Sequence, residues 1–236
     1  MIGLLDCNNF YVSCERLFDR KLVDKPVVVL SNNDGCIISR SDEAKKAGIK
    51  MGEPLFKAKE KIKQFGVQVR SSNYSLYGDI SSRVMKIVKK FCDQIEVYSI
   101  DEVFINLGGI SDRELFCYSL KKRILQYTGI PVSIGISENK TLSKIANKIA
   151  KKQNINSENS RFIGIFEIPS GKKIDQILRN VSIADVWGVG KALYRFFSDI
   201  GISNACELKN INENFIRQEK GVVAHRTILE LRGFKC

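Results

Sequence analysis

The run Val97-Tyr98-Ser99-Ile100-Asp101-Glu102-Val103-Phe104-Ile105-Asn106-Leu107 constrains the fold of this chain more than any other stretch. Apolar and β-branched residues flank two adjacent carboxylates, a pattern that reads as a strand, a tight bend and a returning strand. Carboxylates inside such a run are costly without partners. Either they cap a hairpin turn, or they stay ionised beside divalent cations, for which an all-oxygen donor set suits Mg²⁺ or Mn²⁺. A two-metal centre needs a further carboxylate from elsewhere. The other short apolar run that stops on an acid, Ile2-Gly3-Leu4-Leu5-Asp6, supplies the candidate.

Charge narrows the class of partner. The 236 residues carry 38 Lys and Arg against 26 Asp and Glu, a formal net charge of +12. The basic runs Lys57 to Lys63, Lys121 to Arg123 and Lys140 to Lys152 could each be a solvated face, but together they favour nucleic acid over other partners. No apolar stretch approaches the roughly 20 residues needed to span a bilayer, so no membrane association is expected. No basic region precedes the N-terminal apolar run and Asp6 interrupts it early, unlike a secretory signal peptide. The seven cysteines form no CxxC pair and His225 is the only histidine, so a Cys/His zinc site is not expected. Scattered thiols suit a reducing, cytoplasmic setting.

Along the chain, a buried strand over Ile2–Leu5 gives way at Asp6 to a helix through Phe18, with Asn8 or Asn9 as its N-cap. Phe10 reads as core. Tyr11 has a second reading if the region beside Asp6 is a nucleotide pocket, where its flat ring would leave no room for a sugar 2′-OH. Pro26–Leu30 is a second buried strand, Ser31–Gly35 a turn and Cys36–Ser39 the returning strand. A helix from near Ser41 to Gly48 follows, then another opened by Pro54, then a strand at Val67–Val69. Arg40 and Lys45 lie near a helix start, where they are candidates for phosphate oxygens as well as plain surface cations.

Leu76, Ile80, Val84, Ile87, Val88 and Phe91 share one helix stripe that faces a core. Helices over about 112–127 and 139–152 flank a strand over 131–137. Lys144, Lys148 and Lys151 share one face of the second, and a row of like charges there implies a polyanion beside it. A polar, flexible stretch over 154–161 precedes a last strand over 162–168, and Pro169-Ser170-Gly171 marks a boundary. The fold class is therefore α/β (α+β): a small, largely antiparallel sheet with helices on one face. Beyond residue 171 short helices follow. Among them Gly188-Val189-Gly190-Lys191 is a tight glycine turn opening a helix, usable for backbone contact with DNA but also common between helices. Trp187 reads as a core anchor.

Six motifs in order carry a resemblance: Asp6-Cys7-Asn8-Asn9-Phe10-Tyr11, Leu30-Ser31-Asn32-Asn33-Asp34-Gly35-Cys36, Ser71-Ser72-Asn73-Tyr74, Tyr98-Ser99-Ile100-Asp101-Glu102, Lys140-Thr141-Leu142-Ser143-Lys144-Ile145-Ala146-Asn147 and Asp185-Val186-Trp187-Gly188-Val189-Gly190. Together they resemble the Y-family translesion DNA polymerases, most of all the UmuC branch. The resemblance implies a palm at 1–10 and 73–168, fingers at 11–72, a thumb with a helix-hairpin-helix turn at 169–236, and an absent little-finger domain. It implies error-prone addition of dNTPs to the 3′-OH of a primed DNA template, within an SOS-type repair response in a bacterium. Asp6, Asp101, Glu102 and the Cys7 backbone carbonyl would hold two Mg²⁺ ions, for which Mn²⁺ can substitute. Phe10, Tyr11 as steric gate, Arg40, Lys45 and Lys151 would face the nucleotide, and Gly188, Val189, Gly190 and Lys191 the DNA. A UmuD-type subunit, a recombinase filament and a sliding clamp are partners by resemblance alone.

The chain departs from the family pattern in carrying Asp42 where many relatives have a tyrosine that touches the triphosphate. A carboxylate there would repel phosphate, so Arg40 is the substitute. Two rival functions remain: a non-catalytic, truncated DNA-binding fragment, and a two-metal palm that cyclises nucleotides.

Overall fold

The computed structural model describes residues 1–153, 162–169, 171 and 173–236. The polar stretch read at 154–161 lies outside them. In chain order the elements are β1 (Ile2–Cys7), α1 (Phe10–Phe18), β2 (Val27–Leu30), β3 (Ile37–Arg40), α2 (Asp42–Lys46), α3 (Leu55–Phe65), β4 (Gln68–Arg70), α4 (Tyr74–Phe91), β5 (Ile95–Val97) and β6 (Glu102–Asn106). Then come α5 (Arg113–Thr128), β7 (Val132–Ser137), α6 (Lys140–Gln153), β8 (Ile165–Glu167), α7 (Lys173–Arg179), α8 (Lys191–Asp199), α9 (Ala205–Asn210) and α10 (Glu213–Leu231).

Local chemistry sets most of these boundaries. The hydroxyl of Ser41 accepts from the Ala44 N–H at 3.2 Å and caps α2, while Pro54 opens α3. Asn73 and Asp112 cap α4 and α5 in the same way as Ser41. Asn9 is different. It stands at the N-cap of α1 in the left-handed region (φ 48), but its amide does not cap the helix; it reaches Asp42 and Lys45 across to the next lobe.

β5 and β6 form the expected hairpin, and the central sheet runs β5-β6-β1-β7-β8, antiparallel except for β7 with β8. Successive strand residues face opposite sides. Leu5, Val103, Ile134 and Ile136 join Val84, Val88, Leu120 and Ile124 from α4 and α5 in the main core. The sequence pattern places helices on one face; α6 covers the opposite face as well. At Gly135 an added Cβ would sit 2.0 Å from the Asn147 backbone nitrogen, so only glycine lets α6 come this close to β7. The contact is fastened by polar side chains. Asn147 Nδ2 donates to the carbonyls of Leu4 (3.2 Å) and Ser133 (2.9 Å), and Ser143 Oγ to that of Ile2 (2.9 Å).

Two further cores adjoin this one. Val28, Leu30, Ile37, Ile49 and Val67 fill a small lobe on the sheet β3-β2-β4, while Val27 and Val29 of the same strand point into the main core. Behind α6, Leu142 and Ile145 pack against Leu178, Phe197, Leu208 and Ile228 of the C-terminal helices. Burying such a side chain contributes about 1.5–3 kcal/mol. The buried carboxylate of Glu230 in α10 accepts from the Thr141 N–H at 3.2 Å and from the Thr141 hydroxyl. Asn139 Nδ2 donates back to the carbonyls of Glu230 and Phe234. The first turn of α6 is thus capped twice, by the distant Glu230 and locally by Asn139 Oδ1, which accepts from the Leu142 N–H at 3.0 Å. All seven cysteines are free thiols, and among the described residues no helix is long and apolar enough to cross a membrane.

Candidate active site

Asp6 and Glu102 stand opposite each other on β1 and β6, on the sheet face that α6 covers. Asp101 is the last residue of the bend. Ser99 Oγ donates to Asp101 Oδ1 at 2.6 Å and accepts from the Glu102 N–H at 3.0 Å, which closes the turn from within. The Cys7 N–H donates to the Asp101 carbonyl at 2.9 Å, and Ser81 Oγ to that of Ile100 at 2.5 Å. The backbone that carries all three carboxylates is therefore held on both sides.

Asp6 is 8% exposed. Burial pushes its carboxyl up from 3.8 to about 6; Lys151 pulls it down, and Asp101 and Glu102 push it up. Desolvation outweighs the ion pair here even though Lys151 Nζ lies 2.6 Å from Asp6 Oδ1. Lys144 Nζ holds both oxygens of Glu102, at 2.9 and 3.0 Å. Lys140 meets Glu96 at 2.6 Å and Lys148 meets Asp185. The lysine row of α6, read from the sequence as facing a polyanion, is thus matched by carboxylates of the chain itself. Their partners lie far away in sequence, so the helix looked unbalanced when read alone.

A cleft of ≈ 560 Å³ opens beside these groups and is lined by Asp6, Cys7, Phe10, Tyr11, Arg40, Lys45, Asp101 and Lys151. It gathers nearly every residue singled out as metal- or nucleotide-facing; Glu102 is not part of its lining. Tyr11 is half-buried, stacked on Tyr77 at 4.4 Å between ring centroids and edge-on to Tyr74 at 6.1 Å. Phe10, 3% exposed, is mainly a core residue with one edge at the cleft. Lys45 is engaged: its ammonium lies 2.8 Å from Asp42 and 2.6 Å from the Asn9 side-chain oxygen. Asp42, which alone would repel a phosphate, is neutralised by that lysine. Arg40 donates from Nη1 to the Ile49 carbonyl at 2.6 Å, and its buried Nε has no hydrogen-bond partner among the described residues.

The glycine turn stands apart from the cleft. Gly188 adopts φ +90 and a Cβ there would meet Thr227 at 2.8 Å, so the turn needs glycine on both counts. Gly190 and Lys191 are exposed, and among the described residues no side chain caps the start of α8. Trp187 is not the core anchor it was read to be. It is half-buried and meets Tyr98 edge to face at 5.7 Å, beside the carboxylates.

Among the described residues no three acidic, cysteine or histidine side chains already converge as a coordination shell. The donor set nevertheless fits a hard divalent ion. It offers carboxylate oxygens and a backbone carbonyl, and two of the acids are neutralised by ammonium groups that stand where cationic charge is needed.

The family model described as IMS, the impB/mucB/samB family, matches residues 5–148, which include the three carboxylates and most of α6. The chain belongs to the impB/mucB/samB family. It is 41% identical to Protein UmuC of Salmonella typhimurium over 239 residues, covering 100% of this chain and 56% of that protein. It is 32% identical to DNA polymerase IV of Picrophilus torridus over 238 residues, covering 98% of this chain and 65% of the relative. This impB/mucB/samB chain spans about half the length of the curated UmuC, ImpB and MucB relatives it matches. Its fold is that of the Y-family polymerases. The insertion ternary complex of Dbh DNA polymerase superposes with a TM-score of 0.82 at 25% identity, over 100% of this chain and 69% of that one. The structure of DinB from Sulfolobus solfataricus gives 0.79 at 25% identity, over 98% and 67%. The resemblance read from the six motifs is borne out.

Sequence reading of this family member missed Ser99, Tyr77 and the grip of Lys144 on Glu102. Ser99, two residues before a bend carboxylate, carried a usable signal for a side-chain-closed turn. The other two carried none, because their partners come from other elements.

Proposed function

We propose that this chain is the nucleotidyl-transferring part of a translesion DNA polymerase, adding a dNTP to a primer 3′-OH across from a template base. One observation carries the reading: Asp6 and Glu102 stand in register on β1 and β6 with Asp101 in the adjoining bend, and Asp6 and Asp101 line a cleft that also presents Tyr11, Arg40 and Lys151. The central sheet would be the palm, residues 11–72 the fingers, and residues 169–236 the thumb. Asp6, Asp101, Glu102 and the Cys7 carbonyl would hold two Mg²⁺ ions. Such ions, when bound, lower the pKa of an attacking hydroxyl and neutralise a triphosphate and its leaving group.

The side chains divide the remaining work. Lys151, whose side chain is 39% exposed and pairs with Asp6, would turn toward a triphosphate once that carboxylate has another cation. Tyr11, braced by Tyr77 and Tyr74, would close the space a ribose 2′-OH needs. The exposed glycine turn at 188–190 and the start of α8 would meet a DNA backbone phosphate. Primed DNA and dNTPs are thus the substrates of the proposal, and any UmuD-type, recombinase or clamp partner rests on family resemblance.

The test is single-nucleotide extension of a labelled primed template with Mg²⁺ at low salt, because phosphate contacts weaken steeply as salt rises. Wild type should extend, and Asp101→Ala should lose on the order of a hundredfold or more in rate. If neither protein extends while both retard the duplex in a gel, the DNA-binding reading replaces this one. Product formed from nucleotide alone would favour cyclisation.

A further inference from the structure

Lys144 sits at a junction that its place in the chain does not announce. Its ammonium lies 2.9 and 3.0 Å from the Glu102 oxygens, 4.5 Å from the Tyr98 ring centroid and 5.3 Å from that of Trp187. The Lys144 and Glu102 side chains are 16% and 19% exposed. Tyr98 belongs to the bend that carries Asp101. Trp187 immediately precedes the glycine turn at 188–190. One helical turn further along α6, Lys148 pairs with Asp185, so two successive lysines tie α6 to the segment Asp185–Trp187. Of these two lysines, Lys144 also holds a carboxylate of the candidate metal site.

Two consequences follow from charge. An ammonium paired with both Glu102 oxygens competes with a metal ion for them, and apparent metal affinity falls by the fraction of Glu102 that is free. An ammonium released from Glu102 still has the faces of Tyr98 and Trp187, an attraction of about 0.5–2 kcal/mol. It would shift within the aromatic cage rather than leave it. We propose that Lys144 is a metal-displaced latch: it holds Glu102 in the metal-free chain and transmits the arrival of a divalent ion at Glu102 to Trp187 and the adjoining glycine turn. Lys144 is on this account a positioning residue, and the inference rests on the metal site proposed above.

Trp187 is the single tryptophan of the chain, so its emission reads the latch directly. Mn²⁺ binding is measured separately by loss of the free-ion EPR signal, with Mg²⁺ as competitor. In the wild-type chain, Mg²⁺ should change Trp187 emission at the concentration at which it displaces Mn²⁺. Lys144→Met should bind Mn²⁺ severalfold more tightly and lose the emission change. Lys144→Arg, which can pair with Glu102 and lie on the rings, should keep it. Mn²⁺ binding by wild type without an emission change overturns the latch alone, and so does Mn²⁺ affinity in Lys144→Met equal to or weaker than wild type. Failure of the wild-type chain to bind Mn²⁺ overturns the metal site and the latch together. The wild-type measurements decide the matter even if the methionine variant does not fold.

Discussion

Replacing Gly135 with alanine adds one methyl group at the tightest contact between α6 and the central sheet. That carbon would lie 2.0 Å from the Asn147 nitrogen, 2.4 Å from the Ser143 carbonyl oxygen and 2.6 Å from the Ala146 carbonyl carbon, all backbone atoms that no rotamer change can move. Ordinary van der Waals separation is about 3.5 Å or more, so α6 must retreat by more than about 1 Å. The retreat stretches the Asn147 bonds to Leu4 and Ser133 and the Ser143 bond to Ile2. Overpacking costs about 1–3 kcal/mol and each lost hydrogen bond about 0.5–1.5, so the variant should lose about 3–7 kcal/mol. Whole domains are stable by only about 5–15 kcal/mol. Gly78 is the internal control: it lies within α4, exposed, with nothing within 4 Å of an added Cβ, and Gly78→Ala should stabilise by up to about 1 kcal/mol. Urea denaturation followed by far-UV circular dichroism would read both variants. A Gly135→Ala midpoint that places it within about 1 kcal/mol of wild type would refute the close docking of α6.

Two other expectations concern carboxylates. With chelator present, folded Asp6 titrates near 6 instead of 3.8, so the folded form holds its proton more tightly than the unfolded one and wild-type stability should fall as pH rises from about 4 to about 6. Asp6→Asn escapes that loss: it should exceed wild type by about 3 kcal/mol above pH 6 and converge with it near pH 4, and stability curves that run parallel across this range would contradict the burial argument. Glu230→Ala leaves the first turn of α6 without its distant acceptor and should cost about 1–3 kcal/mol, while Glu230→Gln, which keeps an acceptor oxygen, should cost less; equal losses in thermal unfolding would show that packing rather than capping matters there.

Much of this architecture was legible because its causes are local. The hairpin that bears Asp101 and Glu102 shows in its β-branched flanks, and α4 shows in one apolar stripe. Ser41 and Pro54 mark helix starts a few residues from where they act. Wrong readings came where the deciding neighbour was distant. Asn9 does stand at the N-cap of α1, but its side chain turns to Asp42 and Lys45 instead of capping. Trp187 has the size of a core residue but rests on Tyr98. The sheet was expected to carry helices on one face because nothing in the strand pattern says what covers the other; a lone glycine in β7 was the trace of α6 lying there.

The candidate site divides along the same line. Which residues could bind cations was written in residue type: three acids at the ends of apolar runs are expensive and mark themselves. The family motifs added Tyr11, Arg40, Lys45 and Lys151, and the cleft brings them together with Asp6 and Asp101. The pairing of charges was decided by tertiary structure alone. Lys144 meets Glu102, Lys151 meets Asp6 and Lys148 meets Asp185 because β1, β6 and the C-terminal helices converge on one face of α6. The period of a helix determines which side chains share a face, but Coulomb attraction acts on whatever the fold sets opposite that face, and the chain's order does not record it.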